Sequence, residues 1–248
     1  HVLITLRMLL LCVHFVLASL LGLLVCICRP FNPDNTRLCA RLYALPALKI
    51  LGVRTVLDVQ SLNDVPRPAV IVANHLSNYD LFVFGQVVPV RTVSLGKKSL
   101  KWLPLFGQIY WLAGNVLVDR GNAVAAKQAM TTVTQTLQHR DMSIWVFAEG
   151  TRSHGKGLGP LKKGAFQMAI NAGVPIVPVC ASQYVRHWNL NRWHSGTIVI
   201  KALPALSTQG LSLDDMPELM TRCHADMAAC IESLDQHAQQ AQQQPVRA

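Results

Sequence analysis

The sequence predicts an α/β fold: a mostly parallel sheet flanked by helices, with an N-terminal membrane-anchoring helical segment in front of it. Three observations carry that expectation. A long uncharged run opens the chain, and short apolar runs then alternate with helical patterns. Two of those runs, AVIVA and SIWVFA, lead straight into polar motifs, as strands do when loops at their ends carry a site.

The opening run, Met8 to Cys28, holds 21 residues without a charge, between Arg7 and Arg29. A helix rising about 1.5 Å per residue would make it about 30 Å long, enough to cross a bilayer core. A secretory signal peptide has a shorter apolar region, and no small-x-small cleavage site precedes Arg29. A buried core helix is rarely apolar all the way round. Arg29, Arg37, Arg41 and Lys49 follow the run while only Arg7 precedes it, which places the bulk of the protein on the cytoplasmic side. Residues 36–51, TRLCARLYALPALKIL, interleave basic residues with leucines and suit the plane of a membrane interface. The first helix can span, or it can share a re-entrant hairpin with the second, and both topologies stay open here.

Residues 1–53 therefore read as the anchor, 54–238 as the main domain and 239–248 as a Gln-rich disordered tail. Strands are expected at Ala69–Ala73, Arg91–Leu95, Val116–Val118, Ser143–Phe147, Val174–Val179 and Thr197–Ile200. Helices are expected at Tyr79–Val87, Ala123–Gln138, Leu161–Ala172 and Pro217–Ala238, the last entered through Asp214 and Asp215. Strands separated by helices imply a largely parallel sheet. The segment Ser99–Ala113 groups Trp102, Phe106, Tyr110 and Trp111 around a Pro and a Gly without a clean period. Its aromatics fit either a water–lipid interface or a buried loop.

Hydrophobic residues make up 51% and charged residues 15%, so part of the apolar excess is expected to face lipid. The net charge of +10 is concentrated in residues 86–201, which hold 14 basic and 3 acidic groups. Such a surface suits nucleic acid, anionic head groups or phosphorylated small molecules, and the apolar N-terminus favours the last two. The seven cysteines form neither a C-x-x-C pair nor a metal-ligand spacing, so reduced thiols are expected and no metal.

Four motifs carry chemistry. Asn74-His75-Leu76-Ser77-Asn78-Tyr79-Asp80 follows the first strand. An Asp on the first turn of the next helix can accept a hydrogen bond from one ring nitrogen of His75 and leave the other as a base. The attacking group would then be a substrate hydroxyl, and no serine is needed. A structural His beside an N-capping Asp has the same spacing. Phe147-Ala148-Glu149-Gly150-Thr151-Arg152-Ser153 ends another strand; Gly150 permits a sharp turn and Arg152 offers a planar fork for phosphate. The same residues also fit a surface turn closed by a Glu149–Arg152 ion pair. Gly114 to Arg120 and Val174-Pro175-Ile176-Val177-Pro178-Val179 complete the set, each weak alone. Gly150 to Lys156 imitates a nucleotide-binding loop, but Gly157 stands where Ser or Thr must bind Mg²⁺, and Gly159 and Pro160 prevent the required helix.

In this order the four blocks resemble the N-H-x4-D, G-x5-R, F-x-E-G-T-R-S and V-P-I-x-P pattern of the glycerolipid acyltransferase family, and the intervening sequence is similar to its bacterial branch acting on 1-acyl-sn-glycerol-3-phosphate. The resemblance implies transfer of a fatty acyl group from acyl-CoA or acyl-carrier protein to the sn-2 hydroxyl of lysophosphatidic acid, at the cytoplasmic face of an inner membrane. His75 would be the base and Asp80 its support. Arg120, Glu149, Gly150, Thr151 and Arg152 match positions that bind the acceptor's glycerol phosphate, with Lys97 as a further phosphate ligand. No cofactor is implied beyond the acyl donor as co-substrate; membrane lipids are partners and nucleic acid is not. A sister enzyme acting on glycerol-3-phosphate or another lysophospholipid, and a non-enzymatic scaffold for anionic lipid, are the competing readings.

Overall fold

Runs such as Val70-Ile71-Val72-Ala73 become central strands because both their faces are covered. Val70, Val72, Ile144, Val146 and Ile176 point into one apolar core. Ile71, Ala73, Trp145, Val177 and Val179 point into the other. Alternation along each strand feeds two cores at once, as the pleat requires. Burying a Val or Ile side chain is worth about 1.5–3 kcal/mol, more than the ~1 kcal/mol spread of strand propensity, so burial decides these elements.

The computed structural model describes residues 1–119, 121, 131, 133–135, 137 and 141–243. Its strands are β1 (Val53–Asp58), β2 (Val70–Ala73), β3 (Thr92–Lys97), β4 (Val116–Val118), β5 (Ser143–Phe147), β6 (Ile176–Ala181) and β7 (Gly196–Ala202). They form one sheet in the order β1-β7-β6-β2-β5-β3-β4. Among the described residues every neighbouring pair is parallel except β6 and β7, where Val179 faces Ala202 and Ala181 faces Ile200. Helices are α1 (Val2–Cys28), α2 (Asn35–Ile50), α3 (Gln60–Asp64), α4 (Asp80–Gly85), α5 (Phe106–Leu112), α6 (Lys163–Ala172) and α7 (Met216–Gln243). The first core lies under α6 and α7, through Phe166, Met168, Cys223 and Met227. The second lies under α2 and α4, through Tyr43, Leu48, Val83 and Phe84.

All six expected strands are present, Val116–Val118 and Ser143–Phe147 with the expected ends and the others with shifted ones, as are the expected helices at Tyr79–Val87, Leu161–Ala172 and Pro217–Ala238 with shifted ends. Strand β1 went unforeseen: it is an edge strand whose Val56 and Leu57 are exposed, so its sequence shows no alternation. Strand β6 starts two residues later than expected, at Ile176, because the Val174 N–H closes the end of α6 on the Ala169 carbonyl. Helix α7 runs past Ala238 to Gln243, into the segment expected to be a disordered tail, since Gln and Ala favour helix once a packed face has nucleated it. The helix expected at Ala123–Gln138 falls largely outside the described residues, although Val133 and Leu137 are described and lie in the first core. The aromatic segment folds as a 3-10 turn, Lys98–Trp102, followed by α5. Ile109 and Tyr110 are buried while Trp102 is 76% exposed, so the segment is partly buried, as helix and not as the loop that was one of the two expectations.

Helix α1 is long and apolar enough to cross a membrane. It nevertheless lies along the domain. Ala18, Ser19, Gly22 and Cys26 turn inward, while Leu9, Leu17, Leu24 and Ile27 stay exposed. Ser19 Oγ meets the Tyr43 hydroxyl at 2.8 Å, and the Cys26 and Cys39 sulfurs sit 3.8 Å apart, unbridged, between α1 and α2. Arg7, read from sequence as a flanking charge, is buried. Its guanidinium donates to the carbonyls of Leu190, Arg192 and Trp193 at 2.7–2.8 Å and to Ser195 Oγ at 2.6 Å. At the other end the Phe31 N–H bonds the Leu112 carbonyl at 2.8 Å. Both ends of the helix are therefore tied to the same domain.

Candidate active site

The C-terminal ends of β2, β5, β3, β4 and β6 share one edge of the sheet, because these strands run the same way. Open parallel sheets place ligands at this edge, where loops leave the strands without blocking one another. Residues 74–80 leave β2 here, residues 148–153 leave the adjacent β5, and Lys97 closes β3 on the far side of β5.

Buried Asn74 opens the first loop. Its side-chain amide donates to the Ala181 carbonyl and accepts the Ala181 N–H, both at 2.9 Å, which fastens the exit of β2 to that of β6. The next residue, His75, is held on both sides of its backbone by the β5 loop. Its N–H donates to Glu149 Oε1 at 2.7 Å, and its carbonyl accepts the Ser153 N–H at 2.8 Å. Its ring stacks on Phe147, with centroids 4.2 Å apart and planes inclined by 17°.

The ring's Nδ1 lies 2.5 Å from Asp80 Oδ2. The same oxygen accepts the N–H groups of Leu76 and Ser77 at 2.7 and 3.2 Å, and Oδ1 accepts the Tyr184 hydroxyl at 2.5 Å. Four donors converge on a carboxylate only 2% exposed, which fits its ionised form. The hydrogen then belongs on Nδ1, and Nε2 is left as a base with no partner among the described residues. The side chain of His75 is 18% exposed, enough for a substrate hydroxyl to reach it. Asp80 thus also braces the loop backbone, but it is the first residue of α4, which Tyr79 caps, and the N–H groups it accepts precede the helix, so it is not the N-capping Asp of the alternative reading.

Glu149 is 4% exposed, and its second oxygen accepts the Gly159 N–H at 2.8 Å. Among the described residues it makes no ion pair with Arg152, which removes the surface-turn reading. A side chain at position 159 would place its Cβ 3.0 Å from Glu149 Oε2, a tight contact that glycine avoids. Gly150 turns the chain at φ +73°, a left-handed value that disfavours other residues. Thr151 and Arg152 project beyond it, exposed, beside the His75 loop. The structure thus joins His75, Asp80 and Glu149 through direct contacts, and Ser153 bonds the His75 carbonyl; Gly150, Thr151 and Arg152 lie between those two anchored residues. Lys97 is exposed on the same edge, and Arg120 lies outside the described residues.

Tyr184 was missed by the sequence reading. It follows β6 as a lone tyrosine, and 104 residues separate it from Asp80, so no local spacing could signal the contact. Burial and the Asp80 charge push its hydroxyl far above the usual tyrosine range, which keeps it a donor at every working pH.

An apolar cavity of about 120 Å³ opens beside the pair, between α2, α4 and α5. Tyr43, Phe84, Phe106, Ile109 and Trp145 line it, and Asp80 and Phe147 border it. No group of three or more His, Cys, Asp or Glu among the described residues is placed to hold a metal.

A free imidazole nitrogen, a carboxylate behind it, an exposed arginine beside it and an apolar cavity together suit transfer of an acyl chain to a hydroxyl. The Acyltransferase family model matches residues 56–182, which contain all four sequence motifs, and the chain belongs to that family. Its relatives include the 1-acyl-sn-glycerol-3-phosphate acyltransferase of Escherichia coli (strain K12), 39% identical over 233 residues that cover 92% of this chain and 93% of that protein. The enzyme of the same name from Haemophilus influenzae is 38% identical, over 93% of this chain and 96% of its own. Human 1-acyl-sn-glycerol-3-phosphate acyltransferase alpha is 37% identical, over 84% and 74%. The crystal structure of the 1-acyl-sn-glycerophosphate acyltransferase from Thermotoga maritima shares the fold, with a TM-score of 0.69 at 21% identity over 93% of this chain and 97% of that one.

Proposed function

We propose that the protein transfers a fatty acyl group to the sn-2 hydroxyl of 1-acyl-sn-glycerol-3-phosphate, giving phosphatidic acid, with His75 as the base. The observation that carries the mechanism is the His75 Nδ1–Asp80 Oδ2 bond of 2.5 Å, with Nε2 left free. Nε2 takes the hydroxyl proton as the oxygen attacks the thioester carbonyl. The tetrahedral oxyanion then collapses, the thiolate of coenzyme A or acyl-carrier protein leaves, and the imidazolium returns the proton to it. Asp80 stabilises the imidazolium in between, and no acyl-enzyme is formed. The acyl thioester is a co-substrate; no further cofactor is called for.

Arg152 and Thr151, exposed in the loop that bonds the His75 backbone, are the proposed ligands of the acceptor phosphate, with Lys97, exposed on the same edge, as a further cation; the resemblance adds Arg120, which lies outside the described residues. The cavity between α2, α4 and α5 has apolar walls and is bordered by Asp80 and Phe147, and its roughly 120 Å³ suits a short stretch of an acyl chain beside the reacting group. Helix α1 is best placed within one leaflet of the membrane. Its two ends touch the same domain through Arg7 and Phe31, which a helix crossing to the far side could not do. The basic residues after Cys28 favour the cytoplasmic face of an inner membrane.

The purified protein, assayed in mixed micelles with lysophosphatidic acid, glycerol-3-phosphate and other lysophospholipids against acyl-CoA and acyl-carrier-protein donors, tests this reading. Lysophosphatidic acid is expected to be the preferred acceptor; preference for another acceptor would overturn the substrate assignment. In the same assay Arg152→Ala is expected to raise the acceptor KM about tenfold or more and leave the donor KM unchanged, the loss of a charge-assisted bond to phosphate. An unchanged acceptor KM would remove Arg152 from the phosphate site.

A further inference from the structure

We propose that Tyr184 is a positioning residue of the acyl-transfer centre, holding the Asp80 carboxylate in the orientation that directs His75. The inference rests on the reading of His75 as the base. Its hydrogen bonds have one consistent direction. An ionised carboxylate cannot donate, so the hydrogen of the 2.5 Å contact between Tyr184 and Asp80 Oδ1 belongs to tyrosine. The Tyr184 oxygen is then left as an acceptor, and Ser77 Oγ, 2.9 Å away, donates to it. Ser77 Oγ in turn accepts the Tyr79 N–H at 3.0 Å. A chain therefore runs from Ser77 to Tyr184 to Asp80, and His75 meets the same carboxylate on its other oxygen.

The arrangement is built rather than incidental. Tyr184 is 1% exposed, so its hydroxyl has no water to turn to. Its ring packs against Trp188, with centroids 4.5 Å apart, and Trp188 packs on Tyr79 at 5.5 Å. The residue before it is clamped from the opposite side of the sheet, where Asp235 of α7 accepts the Gln183 N–H at 2.5 Å. Leu76 and Ser77 N–H groups already fill Oδ2 along with His75. Among the described residues Tyr184 is the donor to Oδ1, so the hydroxyl fixes rotation of the carboxylate about its own bond. Rotation there would move Oδ2 away from Nδ1 and let the imidazole choose the wrong tautomer.

Tyr184→Phe keeps the ring and removes the hydroxyl. In the full chain, assayed with lysophosphatidic acid and acyl-CoA in mixed micelles, kcat is expected to fall about ten- to hundredfold, the range of one hydrogen bond to a charged group. Both KM values are expected to stay within about twofold, because Tyr184 touches neither substrate. A double-mutant cycle then separates positioning from packing. In an Asp80→Asn background, Tyr184→Phe is expected to change kcat less than about threefold, since its effect acts through the carboxylate. A kcat near wild type in Tyr184→Phe would overturn the inference, and so would losses that multiply independently with those of Asp80→Asn. His75→Ala run alongside keeps the two readings apart. Activity surviving His75→Ala removes the base itself, whereas full activity in Tyr184→Phe beside an inactive His75→Ala removes only the role of Tyr184.

Discussion

His75→Ala is expected to lower kcat by about 10²–10⁴-fold, the usual worth of a positioned general base, with membrane association intact. The expectation follows from how little else the side chain does. Its ring stacks on Phe147 and bonds Asp80, while its backbone carries the loop's structural contacts to Glu149 and Ser153. Truncation keeps those backbone bonds, and Asp80 keeps the Leu76, Ser77 and Tyr184 donors. The variant therefore stays folded and loses the proton acceptor. Thiol release measures activity, and flotation with anionic vesicles measures membrane association. The scaffold reading predicts no change in either, because a neutral imidazole adds little to lipid affinity. Activity comparable to wild type would end the catalytic assignment.

Glu149→Gln has the second large expected effect, and it comes from geometry alone. The carboxylate accepts two backbone N–H groups, from His75 at 2.7 Å and Gly159 at 2.8 Å. An amide of the same shape has one oxygen, so one of the two N–H groups must face another donor in a buried site. Losing a hydrogen bond to a charged group costs about 1.5–3 kcal/mol, and the displaced residue is either His75 or the glycine that supports its partner. We expect kcat to fall about ten- to hundredfold and the melting temperature to drop by several degrees, read by steady-state assay and thermal unfolding. An exposed Glu149–Arg152 pair, as the surface-turn reading had it, would be worth about 0–1 kcal/mol, and the substitution would be nearly silent. A silent variant would therefore refute the buried clamp.

Comparison of these two residues shows what was legible in the chain. His75 and Asp80 could be paired from spacing because a strand end and the first turn of the next helix bring them together locally. Glu149 was legible as important and its role was not. The resemblance placed it with the groups that bind acceptor phosphate, while the fold gives both its oxygens to backbone donors across a sheet interface. Gly159 had no sequence signal for this contact beyond its glycine identity, and Glu149 lies close enough that a Cβ there would be tight. Tyr184 carried none, because a hydroxyl contact over 104 residues depends on β6 lying beside β2.

The anchor divides in the same way. Length and apolarity mark α1 as a membrane element, since both are properties of the run itself. Its packing against the domain is not a property of the run: Arg7 turns inward onto the loop at residues 190–195. A charge at the start of an apolar run reads as a flank, whereas four acceptors in a buried pocket make it a tether.

From the sequence alone came the α/β class, the membrane-seeking N-terminus, and the four motifs that define the chemistry. Each depends on local pattern: hydrophobic period, uninterrupted apolar length, or residues held within one turn. Only the tertiary structure decided the order of strands, the side-on packing of α1, and the division of labour in the site. Those depend on contacts between segments far apart in the chain, where burial and hydrogen-bond satisfaction select one arrangement from many that local pattern allows.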